Sequence, residues 1–299
     1  MNFLDRLIPQ RLQDLSELPP LTALIAPQNS HGRDCTRVPV KGSAQGPVIN
    51  PAERRCHPLP EDPFFWIAEI KRSSPSKGKI AADNAQTQPV QLAQGYVQAG
   101  ASILSVLTEP HFFNGSFEIL AEVRQAVPHT PLLMKDFLLT PEQLLRGYLA
   151  GADLFLLIVA LLKPEVLLSL YHQGRQLGMT PLIEIHSLTE LEQLAKWVSE
   201  GRLPAPPLVG VNHRCLRQLT LHPERSAELY PRLREAFPAT RLIAESGLQT
   251  PEDVARVHNL GYQGVLIGSA LMETPDPALT LKQWKTQTAQ AHLTEVSHV

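Results

Sequence analysis

Short apolar segments of the chain end repeatedly in polar side chains. The first, 66–70, contains Glu69 and leads through Lys71 into a Ser-Pro-Ser-Lys-Gly turn. Alternate residues of a strand face the same side, so Glu69 and Lys71 are predicted to point in one direction where the strand ends. A single pair of this kind is more typical of a surface ion pair than of a functional site. Its repetition along the chain favours a site.

Five later apolar segments end in the same way, beginning near residues 132, 181, 208, 242 and 264. The polar residues at their ends are Lys135, Glu184, Asn212, Arg214, Glu245 and, after Gly268, Ser269.

Helical patterns separate these segments. Thr140-Pro141-Glu142 and Thr250-Pro251-Glu252 each place Thr at a helix N-cap, Pro at the first helical position and an acidic residue in the first turn. Ser187-Leu188-Thr189-Glu190 has the sequence pattern of a capping box before the 3.6-residue apolar period of the following segment. Further helices are predicted near 88–99, 116–127, 163–177, 223–236 and 276–293.

Eight predicted strands alternate with these helices. The strands begin near Trp66, Ser102, Leu132, Asp153, Pro181, Leu208, Arg241 and Gln263. Near-continuous apolar strands such as 154–159 suit a parallel sheet covered on both faces, and about eight strand–helix units close as a (β/α)8 TIM barrel. An open doubly wound sheet is the main alternative, but we find no dinucleotide-binding glycine motif after the first strand. In a barrel, the polar strand ends would meet at one face.

Residues 1–62 differ in composition from the barrel region, which we place at 63–299. A short amphipathic helix is predicted near residues 3–15 and ends at Pro19-Pro20, and the segment from Ala26 to Pro63 is rich in Pro, Gly and Ser. We interpret 1–62 as a Pro-rich, partly irregular N-terminal extension without a deeply packed element. A packing or flexible segment is favoured over a lid or substrate-contacting arm.

Composition narrows the classes of function. The formal net charge is -2, and neither sign is clustered, which argues against nucleic-acid or membrane binding. No apolar run approaches the ~18 residues of a spanning helix and no signal-peptide core is found, so a cytoplasmic location is expected. Cys35, Cys56 and Cys215 indicate no disulfide framework, and the 11 histidines show no metal-binding spacing. We therefore expect no metal.

Two consecutive strand ends indicate a phosphate site. Glu245-Ser246-Gly247 ends the seventh strand and Gly268-Ser269 ends the eighth, the loops through which many barrels bind phosphate. Gly247 and Gly268 would let backbone amides approach the ligand closely, and Ser269 adds a hydroxyl.

Several motifs between about 64 and 277 occur together in a characteristic order. They are Ile67-Ala68-Glu69-Ile70-Lys71-Arg72, Ser74-Pro75-Ser76-Lys77-Gly78, Ser105-Val106-Leu107-Thr108-Glu109, Phe113-Asn114-Gly115-Ser116, Lys135-Asp136-Phe137, Pro181-Leu182-Ile183-Glu184, Gly210-Val211-Asn212 with Arg214, Glu245-Ser246-Gly247, and Leu266-Ile267-Gly268-Ser269-Ala270-Leu271-Met272. Over this span the chain resembles the indole-3-glycerol phosphate synthases of tryptophan biosynthesis.

The resemblance implies a carboxy-lyase reaction without a cofactor. In it, 1-(2-carboxyphenylamino)-1-deoxyribulose 5-phosphate closes its pyrrole ring and loses carbon dioxide and water. Lys135 corresponds to the general acid, and Glu184 to the carboxylate that stabilises the cationic intermediate and accepts a proton. Lys71, held by Glu69, would help to expel the hydroxyl and also reach the phosphate.

The resemblance also implies substrate contacts. Asn212 and Glu245 would orient the polyol chain and the amine, supported by Arg214 and Ser246. Phe113 and Phe137 would wall the anthranilate ring, and Ser74 would lie near the glutamate–lysine pair. The expected partner is a small phosphorylated substrate, and the protein is expected to be a monomer or weak oligomer.

The chemistry requires acids and bases, and two lysines close together would lower the pKa of one of them. His213 and Cys215 depart from the residues that the family usually has beside Arg214, which leaves the bonding in that loop open.

Two other functions are also considered. Phosphoribosylanthranilate isomerase would instead require a Cys and Asp pair at strand ends. A catalytically lapsed paralogue that binds a phosphorylated ligand is the third hypothesis.

Overall fold

The structure is a computed structural model that describes residues 2–18, 25–26, 35–37, 48–49, 54–71, 73–74, 78–79 and 88–296. Eight parallel strands form a closed barrel in which the last strand pairs with the first. They are β1 (Phe65–Ile70), β2 (Ile103–Leu107), β3 (Leu132–Lys135), β4 (Leu154–Ile158), β5 (Thr180–Ile185), β6 (Leu208–Asn212), β7 (Arg241–Glu245) and β8 (Gly264–Ile267). The predicted (β/α)8 TIM barrel is confirmed.

The described helices flank these strands in the predicted alternation. They are α1 (Phe3–Glu17), α2 (Pro89–Gln98), α3 (Phe117–Ala126), α4 (Pro141–Leu149), α5 (Pro164–Gln176), α6 (Leu188–Ser199), α7 (Arg225–Ala236), α8 (Pro251–Asn259), α9 (Ser269–Met272) and α10 (Pro277–Val296). The single-turn α9 was not predicted. No helix in the described part of the chain combines the length and apolarity needed to cross a membrane.

Local sequence determines where several helices begin. Thr140 and Thr250 each accept a hydrogen bond from the third helical residue and complete a capping box, with Pro in the first turn. Ser187 caps α6 by accepting from the backbone N–H of Glu190. These side chains satisfy backbone donors that have no partner within the helix. The three N-termini therefore lie where the sequence predicted them.

The barrel interior changes from apolar to polar toward the C-terminal ends of the strands. Along β1, Phe65 and Ile67 belong to the interior apolar cluster, and Glu69 is the next residue on that face. In β5 and β7 the same two-residue step leads from an interior Leu or Ile to Glu184 and Glu245. Outward-facing residues pack against the helices in a second cluster. Most of the polar strand ends therefore lie at the C-terminal end of the barrel.

Helix α1 is packed into the barrel rather than lying loosely outside it. Phe3, Leu4 and Leu7 are only 3%, 7% and 0% exposed and belong to the same apolar cluster as the barrel interior. The expectation that the extension contains no deeply packed element is therefore wrong for α1. The apolar face of this helix packs into the interior cluster. The boundary at 62/63 stays a prediction.

Candidate active site

A cavity of about 370 Å³ opens at the C-terminal ends of the strands. It is lined by every predicted site residue whose side chain the structure describes: Glu69, Lys71, Phe113, Lys135, Phe137, Glu184, Asn212, Arg214, Glu245, Ser246, Gly247, Gly268 and Ser269. The side chain of Ser74 lies outside the described part of the structure. The predicted residues come from seven of the eight strand ends and their loops, and Ile158 at the end of β4 lines the same pocket.

Lys135 joins two carboxylates at the centre of this pocket. Its Nζ donates to Glu184 Oε2 at 3.0 Å and to Glu245 Oε2 at 3.1 Å. The lysine side chain is 14% exposed, and each carboxylate side chain is 1% exposed. The three residues come from β3, β5 and β7, so only closure of the barrel brings them together.

The carboxylates control the protonation of this cluster. Burial opposes the charge of Lys135, but the negative charges of Glu184, Glu245 and Glu69 outweigh it and raise the lysine pKa well above its ordinary value. Burial and the charge of Glu184 raise the pKa of Glu245 to about 8 against the opposing effect of Lys135. The predicted lowering of a lysine pKa by a neighbouring lysine is therefore wrong for Lys135, because carboxylates are its immediate neighbours.

Glu184 retains its negative charge despite burial. Lys135 on one side and His186 on the other lower its pKa, outweighing the desolvation that would raise it. His186 Nε2 lies 3.1 Å from Glu184 Oε1, and His186 Nδ1 lies 3.2 Å from Glu190 Oε2. Glu184 is thus a buried carboxylate held between two cationic groups.

The predicted Glu69–Lys71 pair is formed at the end of β1. Lys71 Nζ lies 2.6 Å from Glu69 Oε2, and the two side chains are 12% and 7% exposed. A Cβ atom at Gly268 would lie 2.4 Å from the same Oε2 atom, so a larger residue at the end of β8 would displace the Glu69 carboxylate and disturb the pair. The glycine therefore serves packing as well as any ligand.

A second glycine makes room for Glu245. Gly210 faces into the barrel on β6, and a Cβ atom there would lie 1.9 Å from Glu245 Oε1. Among the described residues, that oxygen is buried without a hydrogen-bond partner. A buried carboxyl oxygen without a partner is costly.

The loop after β6 is organised by Asn212 and the arginines that follow. Asn212 Oδ1 accepts from the backbone N–H of Arg214 at 2.9 Å, and Arg225 donates to the Asn212 carbonyl at 2.9 Å. Arg214 donates to the Leu219 carbonyl at 3.0 Å. The loop therefore presents Asn212 and Arg214 to the cavity with their backbone geometry fixed.

The backbone turns sharply after β7. Ser246 and Gly247 have φ angles of 66° and 72°, in the left-handed region that favours glycine. This turn and the start of α9 at Ser269 both line the cavity. Backbone amides in such turns and at helix N-termini form anion-binding concavities, which supports the predicted phosphate loops.

Three aromatic rings line one wall of the cavity. Phe113 and Phe137 have ring centroids 6.0 Å apart, and Phe3 of α1 lies 6.0 Å from Phe137. Phe112 contacts Phe3 edge to face at 5.0 Å. The position of Phe3 supports the less favoured sequence interpretation, an arm that contacts the substrate.

Sequence reasoning missed several polar residues around the site. Glu109 lines the cavity and accepts from the backbone N–H groups of His111, Phe112 and Phe113, although burial raises its pKa. It follows β2, so the strand-end rule could have identified it. Asp136 follows Lys135 and accepts two hydrogen bonds from Arg11 of α1. No local signal links Arg11 to Asp136.

Metal binding has no evident structural basis in the described ranges. They contain no group of three or more His, Cys, Asp or Glu side chains placed to hold an ion.

The fold and pocket are those of a (β/α)8-barrel enzyme with acid–base groups at its strand ends. Residues 56–284 match the model of the family described as indole-3-glycerol phosphate synthase. The chain belongs to this family. The indole-3-glycerol phosphate synthase of Rippkaea orientalis is 44% identical over 213 residues, covering 71% of this chain and 69% of that protein. That of Crocosphaera subtropica is 42% identical over 213 residues, with the same two coverages.

A solved structure shows the same fold at much lower sequence identity. The 3-hexulose-6-phosphate synthase from Salmonella typhimurium superposes with a TM-score of 0.57 at 14% identity, over 77% of this chain and 100% of that chain. This similarity supports the barrel architecture alone.

Proposed function

We propose that this chain is an indole-3-glycerol phosphate synthase acting in tryptophan biosynthesis. The observation that carries the proposal is the buried contact of Lys135 with Glu184 and Glu245 in a pocket that also has an aromatic wall and two candidate phosphate loops. Family membership supports a decarboxylating cyclisation. The substrate proposed for this chain is 1-(2-carboxyphenylamino)-1-deoxyribulose 5-phosphate. The enzyme would then be classified as a carboxy-lyase.

Ring closure begins with attack of the carboxylate-bearing aryl carbon on the substrate ketone. We assign Lys135 as the acid that protonates the ketone oxygen as this carbon–carbon bond forms. The neighbouring carboxylates hold Lys135 in its ammonium form, so a proton is available at the start of the cycle. Carbon dioxide then leaves and restores the aromatic ring. Lys135 is the catalytic acid in this scheme.

Dehydration follows decarboxylation. Lys71 supplies a proton to the departing hydroxyl, while Glu184 stabilises the cationic intermediate and accepts the proton whose loss completes the double bond. The lowered pKa of Glu184 favours its charged form beside a cation. The Glu69 carboxylate, 2.6 Å from Lys71, orients this second lysine. In this scheme Lys135 and Lys71 each donate one proton, and Glu184 accepts one.

Substrate orientation is assigned to the rest of the pocket. Asn212 and Glu245 would bind the polyol chain and the amine, with Arg214 and Ser246 beside them. Phe113 and Phe137, with Phe3 added from the structure, would enclose the anthranilate ring. The proposed phosphate contacts are Lys71, Gly247, Gly268 and Ser269. The side-chain role of Ser74, the cytoplasmic location and the monomeric or weakly associating state stay predictions.

The direct test is product formation by purified full-length protein. We expect the substrate to be converted to an indole chromophore, followed by ultraviolet absorbance, with one carbon dioxide released per indole. An isomerase would form no indole and release no carbon dioxide from its own substrate, phosphoribosylanthranilate. A folded protein that forms no indole at high enzyme concentration, yet binds the substrate, would instead be the lapsed paralogue.

A further inference from the structure

His213 lies behind the turn that follows β7. It is 1% exposed, and its backbone N–H donates to the Glu245 carbonyl at 2.9 Å. Its Nδ1 is 2.8 Å from the Ser246 carbonyl oxygen, and its Nε2 is 2.7 Å from Ser226 Oγ on α7. The imidazole therefore bridges the turn and a neighbouring helix.

The two partners define the tautomer of His213. A carbonyl oxygen accepts hydrogen bonds but donates none, so Nδ1 carries the proton toward Ser246. In the neutral ring Nε2 then accepts the hydroxyl proton of Ser226. Burial lowers the pKa of His213, and the nearby Arg225 and Arg256 act in the same direction against Glu224. The neutral form with hydrogen on Nδ1 satisfies both contacts.

The residue held by His213 is conformationally unfavourable. Ser246 is a non-glycine residue with a φ angle of 66°, a region that costs ~1–3 kcal/mol and persists only where the surroundings impose it. Ser226 is itself anchored, because Tyr262 donates to its carbonyl at 3.0 Å. The chain of contacts thus runs from the turn through His213 to a fixed point on α7.

We propose that His213 is a positioning residue that holds the Ser246–Gly247 turn in its left-handed conformation, so that this loop's backbone is preorganised for the substrate phosphate. The inference rests on the proposed function, because the phosphate is assigned to this loop there. His213 does not line the cavity and acts through Ser246. Its contribution belongs to binding rather than to proton transfer.

Two amide substitutions separate the two bonds of the imidazole. In His213→Asn, the amide nitrogen occupies the position of Nδ1 and retains the donor to Ser246. In His213→Gln, the amide reaches the position of Nε2 and retains only the contact with Ser226. We expect the Ki of inorganic phosphate and the KM of substrate to rise about tenfold in His213→Gln and His213→Ala, the scale of a lost buried hydrogen bond. His213→Asn should stay within about twofold, and kcat should change little in all three.

His222→Ala is the matched control, since His222 lies in the same loop but contacts Thr220 and Glu224 instead. It should retain wild-type Ki and KM.

Thermal unfolding of each variant checks that it is folded. Ser226→Ala leaves the Nδ1–Ser246 bond in place and provides a milder second variant. Unchanged phosphate Ki in His213→Gln, or equal losses in the Asn and Gln variants, would overturn the proposal while leaving the enzyme assignment intact. A wild-type protein that forms no indole would overturn the enzyme assignment and this proposal together.

Discussion

At the scale of single residues, the pocket concentrates charge that would be unstable if unpaired. Glu184 is 1% exposed and has Lys135 on one side and His186 on the other. A buried carboxylate without such partners would be neutralised by protonation. His186 is in turn held by Glu190, whose carboxylate also accepts from the His186 backbone N–H at 2.9 Å. The histidine therefore supports the charge of the proposed catalytic carboxylate.

Replacing His186 should change how stability depends on pH. The close contact with Glu184, the hydrogen bond with Glu190 and the charges of both outweigh burial and raise the pKa of His186 from 6.5 to about 9. Folded protein binds more protons than unfolded protein between these values, so this contribution is complete below pH 6.5 and disappears as pH rises through 9. The full effect is up to about 3 kcal/mol. Urea unfolding at pH 6.5 and 9 should show His186→Asn less stable than wild type at pH 6.5, with the difference shrinking at pH 9. A constant difference would show that the histidine is not charged between its two carboxylates.

At the scale of elements, a buried ion pair joins α1 to the barrel. Arg11 donates from Nε at 3.0 Å and from a terminal nitrogen at 2.7 Å to the two oxygens of Asp136, and the side chains are 3% and 0% exposed. Thr108 donates to the same carboxylate at 2.6 Å. Asp136 directly follows Lys135, so the helix that contributes Phe3 to the cavity is anchored beside the proposed catalytic acid.

Breaking this pair should affect both stability and substrate binding. Arg11→Ala leaves a buried carboxylate without its cation, a change that costs about 3–5 kcal/mol. We expect a lower Tm and a higher KM, because α1 and Phe3 lose their anchor. Arg6→Ala on the exposed face of the same helix is the control and should resemble wild type. A wild-type Tm in Arg11→Ala would mean that the ion pair does not hold the helix.

The elements were more predictable than the contacts between them. Leu132, Leu208 and Arg241 begin strands as the sequence predicted, because apolar runs bounded by turns and capped helices are local signals. The packing of Phe3 against Phe137 joins distant parts of the chain, and no local pattern indicates it. The pKa of Lys135 depends in the same way on which charges closure of the barrel places beside it. Strand ends identify candidate residues, and the folded geometry decides their protonation.

At the scale of the whole molecule, function and stability are divided between the two faces of the barrel. The cavity lies at the C-terminal face, whereas half-buried arginines at the other face bind the loops that lead into strands. Arg234 of α7 donates to the carbonyls of Thr240 at 2.8 Å and Gly261 at 2.9 Å. Arg124 of α3 makes equivalent bonds to Thr130 at 3.0 Å and Gly151 at 3.1 Å. An arginine on a helix thus binds the carbonyls of neighbouring loops in the same way at two places around the barrel.

Substitution of Arg234 should reduce stability without changing the chemistry. Arg234→Met removes part-buried hydrogen bonds from a charged donor to several carbonyls, each worth about 1.5–3 kcal/mol. We expect a clearly lower urea midpoint but a kcat close to wild type at temperatures where the variant is folded. Arg232→Met, on the same helix, loses only exposed ion pairs and should have a midpoint near wild type. A large loss of kcat in folded Arg234→Met would contradict this division between the faces.

The central claim is that the strand ends divide into groups that transfer protons and groups that hold phosphate. The most direct measurement is steady-state kcat and KM for Lys135→Ala with Ser269→Ala as its partner variant. Lys135→Ala should lose ~10² or more in kcat with a modest change in KM, the scale of a lost general acid. Ser269→Ala should raise KM with little loss of kcat, and inorganic phosphate should compete with substrate in the wild type. Near wild-type kcat in Lys135→Ala, together with loss of kcat in Ser269→Ala, would contradict the account.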